Sequence, residues 1–243
     1  MISRRTKDYV LYAVGEIALV VVGILLALQI NNWNEERIQK RNEVATLRAL
    51  QGSFMVNLDL INQCLSFQRK SQAFGDTLLF HTGPTSPIIS AETFGKCVYE
   101  IGETPNCELS LDLLEDVKNS GKLSAISNEE IRLGIGAWSS KLSDVKNEEE
   151  NFAMEFSTQF MPFTNKHVSW IEIDYKNAEG DGWSLQNAAF GIDHREIMMN
   201  LEFANIVNQH MWRNGRIIYG YTELKGLTNK LLELIDQELV NRK

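Results

Sequence analysis

The sequence predicts a mainly α-helical protein, with one N-terminal transmembrane helix continuing into an extramembrane helical bundle. Three observations carry that prediction. Tyr9 to Ile30, YVLYAVGEIALVVVGILLALQI, is an apolar run in which Glu16 is the single ionisable residue. From Asn34 to about Leu79 there is no proline, and Leu47, Leu50, Phe54, Leu58, Ile61 and Leu65 recur at three- and four-residue steps, the stripe of one helix face. Near the C-terminus, Ile197, Leu201, Ala204, Val207, Met211, Ile218, Tyr221, Leu224, Leu231, Ile235 and Leu239 keep the same spacing.

The first run holds about 22 residues, ~33 Å of helix at 1.5 Å per residue, enough to cross a hydrocarbon core of about 30 Å. A cleavable signal has a shorter apolar region and a small-x-small exit, whereas here Leu28 and Gln29 follow Ala27. The run therefore reads as a retained anchor. Tyr9, Tyr12 and Trp33 flank it as interfacial aromatics. Arg4, Arg5 and Lys7 precede it, and Arg37, Lys40 and Arg41 follow it, so the count of basic residues is nearly balanced. The shortness of the leading segment favours a cytoplasmic N-terminus. The expected organisation is a cytoplasmic stub at 1–8, an anchor at 9–30 and an extracytoplasmic bundle at 31–243.

At 100° per residue, Tyr12, Glu16, Gly23 and Ala27 share one face of the anchor, with Ile30 and Asn34. Gly23 and Ala27 form a small-xxx-small pair that lets another helix approach closely. A carboxylate within a bilayer is costly, so Glu16 must be protonated, paired across an interface, open to a wet crevice or snorkelling to the near headgroups. Assembly through this face and proton or ion coupling through Glu16 are both consistent with the pattern.

Beyond the anchor, the polar stretch EERIQKRNE reads as a solvated stalk that joins the anchor rigidly to the first long helix. His81 to Pro87 is a loop with two prolines. A short helix is expected over about Ala91 to Ile101 with Ser90 as N-cap, and another over Leu109 to Asn119 with Gly121 as its stop. Ser127 and Glu130 have capping-box spacing and open a helix expected to end at about Phe160, before Pro162. Gly134 and Gly136 lie inside that helix and suit close packing rather than phosphate binding. HVSWIEIDY alternates weakly and suits a short strand or an extended segment, and AEGDGW a turn. Asp193 and Glu196 have capping-box spacing for the last helix, expected from about His194 to Val240 and carrying Gly215, Gly220 and Gly226 as sites of a kink or close contact.

Net charge is −8 over 243 residues, which argues against a nucleic-acid partner, because phosphate binding needs a basic face. Of the three cysteines, Cys97 and Cys107 flank a turn-rich segment and make a candidate disulfide if the domain is extracytoplasmic, or free thiols if it is not. Cys64 sits on an apolar helix face as a small core residue. The four histidines show no metal-ligand spacing, and Asp174, Asn177, Glu179 and Asp181 miss the alternation of a calcium loop because Lys176 and Ala178 interrupt it. No metal or cofactor is expected. Ser139 and Ser140 lack a nucleophile elbow, and Cys97 and Cys107 lack Cys-x-x-Cys spacing. The sequence thus predicts no enzyme.

Leu11 to Ile17 and Leu28 to Glu35 resemble the Leu-Tyr-Ala-x-Gly-Glu-Ile start and Leu-Gln-Ile-Asn-Asn-Trp-Asn-Glu exit of an uncharacterised family of bacterial single-pass membrane proteins. Lys118 to Arg132 and Asn200 to Val207 are also similar to that family. The resemblance implies a bacterial inner-membrane protein and supplies no activity, ligand or catalytic residue. The expected function is interaction: the lipid bilayer as partner, with a homo-oligomer or another membrane protein joined through the Gly23 and Ala27 face. Ion or proton coupling through Glu16, and ligand sensing by the bundle through a partner, are the competing expectations.

Overall fold

The computed structural model describes residues 4–103, 107–177 and 190–242; within the helices, the side chains of 4–14, 18 and 175–177 lie outside the description. Helix α1 runs unbroken from Arg4 to His81, so the apolar run, the polar stalk and the first bundle stripe are one rod. The reason is local: no proline interrupts it. The apolar run, long and apolar enough to cross a membrane, is exposed, whereas Leu47, Leu50, Phe54, Ile61 and Leu65 are buried.

Three long helices make the bundle: α1, α4 (Glu129–Glu155) and α8 (Leu201–Asn241). Helix α8 runs antiparallel to both others. Against α1, Met211 meets Gly75, Asn214 Nδ2 donates to the Gln68 carbonyl at 2.9 Å, and Arg242 reaches Glu43. Against α4, His210 meets Glu155, Trp138 Nε1 donates to Thr228 Oγ1 at 2.8 Å, and Asn128 donates to Glu238 at 3.0 Å. Helix α8 therefore ends on the side of the bundle from which the apolar run of α1 extends.

The interior divides in two along these rods. The half nearer the apolar run gathers Leu50, Phe54, Trp138, Tyr221, Leu224 and Ile235 with their neighbours. The far half gathers Leu78, Phe94, Ile101, Phe160, Phe203 and Val207. Helices α2 (Ala91–Gly102) and α3 (Asp112–Asn119) lie in the connection between α1 and α4, α2 against the far half and α3 against the near one. Ser90 caps α2 as its position predicts, accepting from the Thr93 N–H at 3.1 Å. Gly121, at φ 76°, follows the end of α3. Buried Asn57 bridges the Ser110 backbone in both directions, at 2.8 and 2.9 Å, and fixes the descending connection to α1.

Several expectations are corrected. The cap of α4 is Asn128, whose side chain accepts from the Glu130 and Ile131 N–H groups; Ser127 is instead drawn away to Glu43. The helical path does not stop before Pro162. It passes through a π turn at Phe156–Phe160 into α5 (Met161–His167). Proline lacks the N–H that a regular α-helix would use, and the wider turn just before it absorbs the misfit. HVSWIEIDY is no strand: Trp170–Asn177 is helix α6. The last helical segment is split, with α7 (His194–Met198) ending at Met199 and α8 starting afresh under the Asn200 cap. Asp193 does cap α7, accepting from the Arg195 N–H at 2.9 Å. AEGDGW and the acidic positions Glu179 and Asp181 lie outside the described residues.

The glycine expectation holds in part. A Cβ on Gly220 would come 2.7 Å from Val145 Cγ2 and one on Gly134 would come 2.8 Å from Leu231 Cδ2, whereas Gly136, Gly215 and Gly226 face open space. Helix α8 continues through all three of its glycines.

Candidate functional site

The cysteine pairing differs from expectation. The disulfide joins Cys64 to Cys107, with Cα atoms 5.8 Å apart, and Cys97 is free and buried. The segment after α2 carries Cys107 down to α1, where it faces Cys64 in the near half of the core; Cys97 remains on α2 in the far half. The sequence placed Cys97 and Cys107 close along the chain, but the descent separates them in space. Burial, partly offset by Lys96, pushes the Cys97 thiol up to about 11.

In the apolar run of α1, Glu16, Gly23 and Ala27 are all exposed, and a Cβ on Gly23 would meet nothing within 4 Å. The Tyr12 side chain lies outside the described residues. The isolated chain thus leaves the small-and-acidic stripe uncovered among the described residues.

Inside the bundle the tertiary structure assembles a polar site that sequence reading passed over. Glu155 ends α4, at the threshold of the π turn, and its Oε2 lies 2.6 Å from His210 Nδ1 of α8. Both side chains are closed off from solvent, at 1% and 0% exposure. His210 Nε2 is 3.0 Å from the Ile101 carbonyl at the end of α2. A carbonyl only accepts, so Nε2 carries a hydrogen, and a single proton is left to bridge Nδ1 and Oε2. The imidazole is walled by Phe152 at 4.3 Å, Phe160 at 4.9 Å and Phe156 at 5.9 Å between ring centroids. Glu155 Oε1 is buried without a hydrogen-bond partner among the described residues.

This arrangement ties α2, α4 and α8 together at one point, and π turns are frequent at functional positions. Its enclosure makes it an interior tie and a proton-sharing pair with no open face. The signal in the sequence was a polar residue on an apolar stripe: His210 lies between Val207 and Met211 on the buried side of α8, and Glu155 follows Phe152 on α4.

A second cluster closes the end of the bundle next to the apolar run of α1. Arg242 Nη1 lies 2.5 Å from Glu43 Oε2, its Nε donates to Glu238 at 2.7 Å, and the Ser127 hydroxyl donates to Glu43 at 2.8 Å. Burial pushes the Glu43 carboxyl up, but the bonds from Arg242 and Ser127 outweigh it and hold the group below its ordinary value. Glu238 is also held down, first by Asn128 and then by Arg242. This clasp joins α1, the start of α4 and the end of α8.

No curated protein matches the chain, and no solved structure does. Residues 16–78, which lie wholly within α1 and make up about a quarter of the chain, match the model of a family of unknown function, DUF6090.

Proposed function

We propose that this protein is a non-enzymatic membrane-anchored helical bundle that acts in assembly or partner interaction at the bacterial inner membrane. The observation that carries the proposal is the change of environment along α1. Ile17 is 64% and Leu19 76% exposed, whereas Leu47 and Leu50 of the same unbroken helix are fully buried. So much contiguous apolar surface requires lipid or another helix to cover it. Gly23 and Ala27 provide the low ridge along which a second helix could seat, with Glu16 available for a hydrogen bond across the interface.

A cytoplasmic N-terminus and a periplasmic bundle are the orientation we infer. The Cys64–Cys107 disulfide supports it, since such bonds persist in oxidising compartments. The absence of catalysis is part of the same reading: the Glu155–His210 pair is walled off from solvent by aromatic rings, where no substrate could reach it.

The test is crosslinking of the full chain in native membranes, comparing it with a Gly23→Ile/Ala27→Ile variant. Loss of oligomers or crosslinked partners in a variant that still resists alkaline carbonate is the expected result. Unchanged complexes would remove the assembly role. Glu16→Gln separates the competing reading: altered conductance with intact assembly would favour ion or proton coupling.

A further inference from the structure

We propose that the cleft at the foot of the bundle, immediately beyond the anchor, binds the headgroups of anionic phospholipids. The inference rests on the anchor reading above and names the lipid class. The cleft has a volume of about 990 Å³ and is lined on α1 by Arg37, Lys40, Arg41 and Arg48. At 100° per residue these four fall within about 100° of the helix circumference, so they present one cationic face.

None of the four has an ion-pair partner among the described residues; Arg37 lies 5.7 Å over the Trp33 ring. The two carboxylates of the cleft do not cancel them. Glu43 is committed to Arg242 and Ser127, which leaves Glu36 against four cations. The chain as a whole carries −8, so the concentration of uncompensated positive charge here runs against its average.

Position selects the occupant. With Trp33 at the bilayer interface, Arg37, Lys40 and Arg41 stand ~6, ~10 and ~12 Å further along the helix. Helical side chains lean toward the N-terminus, which for α1 is toward the bilayer. Long basic side chains on such a rod can therefore reach back to the phosphate layer, and Arg48 extends the same face up the cleft. Basic residues this close to an anionic surface each strengthen binding by roughly fivefold.

The test uses the full chain purified in a neutral detergent. Retention of phosphatidylglycerol, phosphatidylcholine and inorganic phosphate would be measured by native mass spectrometry, with phosphate also added as a competitor. We expect phosphatidylglycerol to be preferred over phosphatidylcholine by at least about tenfold. The preference should be lost in Arg37→Gln/Lys40→Gln/Arg41→Gln/Arg48→Gln and kept in Lys118→Gln/Lys166→Gln/Arg195→Gln/Lys230→Gln, which removes equal charge elsewhere. Equal retention of the two lipids, or a preference that survives the first variant, would overturn the proposal. Competition by inorganic phosphate as strong as by the lipid would overturn it in favour of a soluble anion. Extraction of the unmodified chain by alkaline carbonate would instead bring down the anchor reading itself.

Discussion

His210 Nδ1 and Glu155 Oε2 lie 2.6 Å apart in a fully enclosed site, where the Ile101 carbonyl accepts from His210 Nε2. Removing either partner strands the other in an aromatic box. His210→Ala should cost about 3–5 kcal/mol, the range for breaking a buried pair. The double variant His210→Leu/Glu155→Leu should cost less than the sum of its parts, because nothing polar is then left unpaired. Denaturant-dependent alkylation of Cys97, a buried thiol in the same half of the core, reports this unfolding in the full chain. Additive losses would show that the pair is not a coupled unit.

The clasp between Glu43 and Arg242 predicts acid sensitivity. Both Glu43 and Glu238 are held below their ordinary value of 4.5 in the folded protein. Their stabilisation is present above the unfolded value and is lost as pH falls through the lowered folded value. Stability of the bundle should therefore fall as pH drops below the ordinary carboxyl value of 4.5 and through the lowered folded values. Arg242→Gln should flatten that part of the profile, and an unchanged slope in this variant would separate acid sensitivity from the clasp.

The disulfide closes a loop between positions 43 residues apart, and its removal by Cys64→Ser/Cys107→Ser should cost about 2–4 kcal/mol. Thiol counting makes a sharper test. The unfolded, unreduced chain should take up one alkylating group, at Cys97, and the reduced chain three. Peptide mapping that found Cys64 alkylated and Cys97 protected would refute the pairing. In the folded protein Cys97 should resist alkylation near neutral pH, because it is buried and its thiol is pushed up to about 11.

Two glycines of α8 should respond oppositely to the same substitution. Gly226→Ala enters open space and should stabilise by up to ~1 kcal/mol through helix propensity. Gly220→Ala would press on the stiff branched side chain of Val145, at 2.7 Å, and the overpacking of about 1–3 kcal/mol should outweigh that gain. Equal effects at both positions, measured by thermal unfolding, would contradict the packing of α4 against α8.

Much of the architecture was legible because it depends on short-range periodicity. The unbroken α1, the cap at Ser90, the stop near Gly121 and the stripes on α1 and α8 all follow from residues within a few positions of one another. That Glu16, Gly23 and Ala27 share one face of α1 follows from the same local period, and a single helix face does not specify what, if anything, covers it.

The failures share one cause: competition from distant residues. Ser127 had the spacing to cap α4, but Glu43, 84 positions away, takes its hydroxyl and its N–H and leaves the cap to Asn128. Pro162 ends a helix by local rules, yet packing of Phe160 and Phe163 in the far core carries the path through a π turn. HVSWIEIDY alternates weakly, but Val168 and Ile173 are both buried in the far core, with Trp170 packed against it, once Trp170–Asn177 is helical.

By itself, the sequence determined that this chain has one long apolar rod extended into a stripe-bearing helix, because hydropathy and helical period are local properties of the chain. Only the tertiary structure decided which cysteine pairs with Cys64, that Glu155 meets His210, and that Arg242 returns to Glu43 beside the apolar rod. Those contacts join residues 43, 55 and 199 positions apart. They are set by the antiparallel path of α8 past α1 and α4, a geometry that no local pattern encodes.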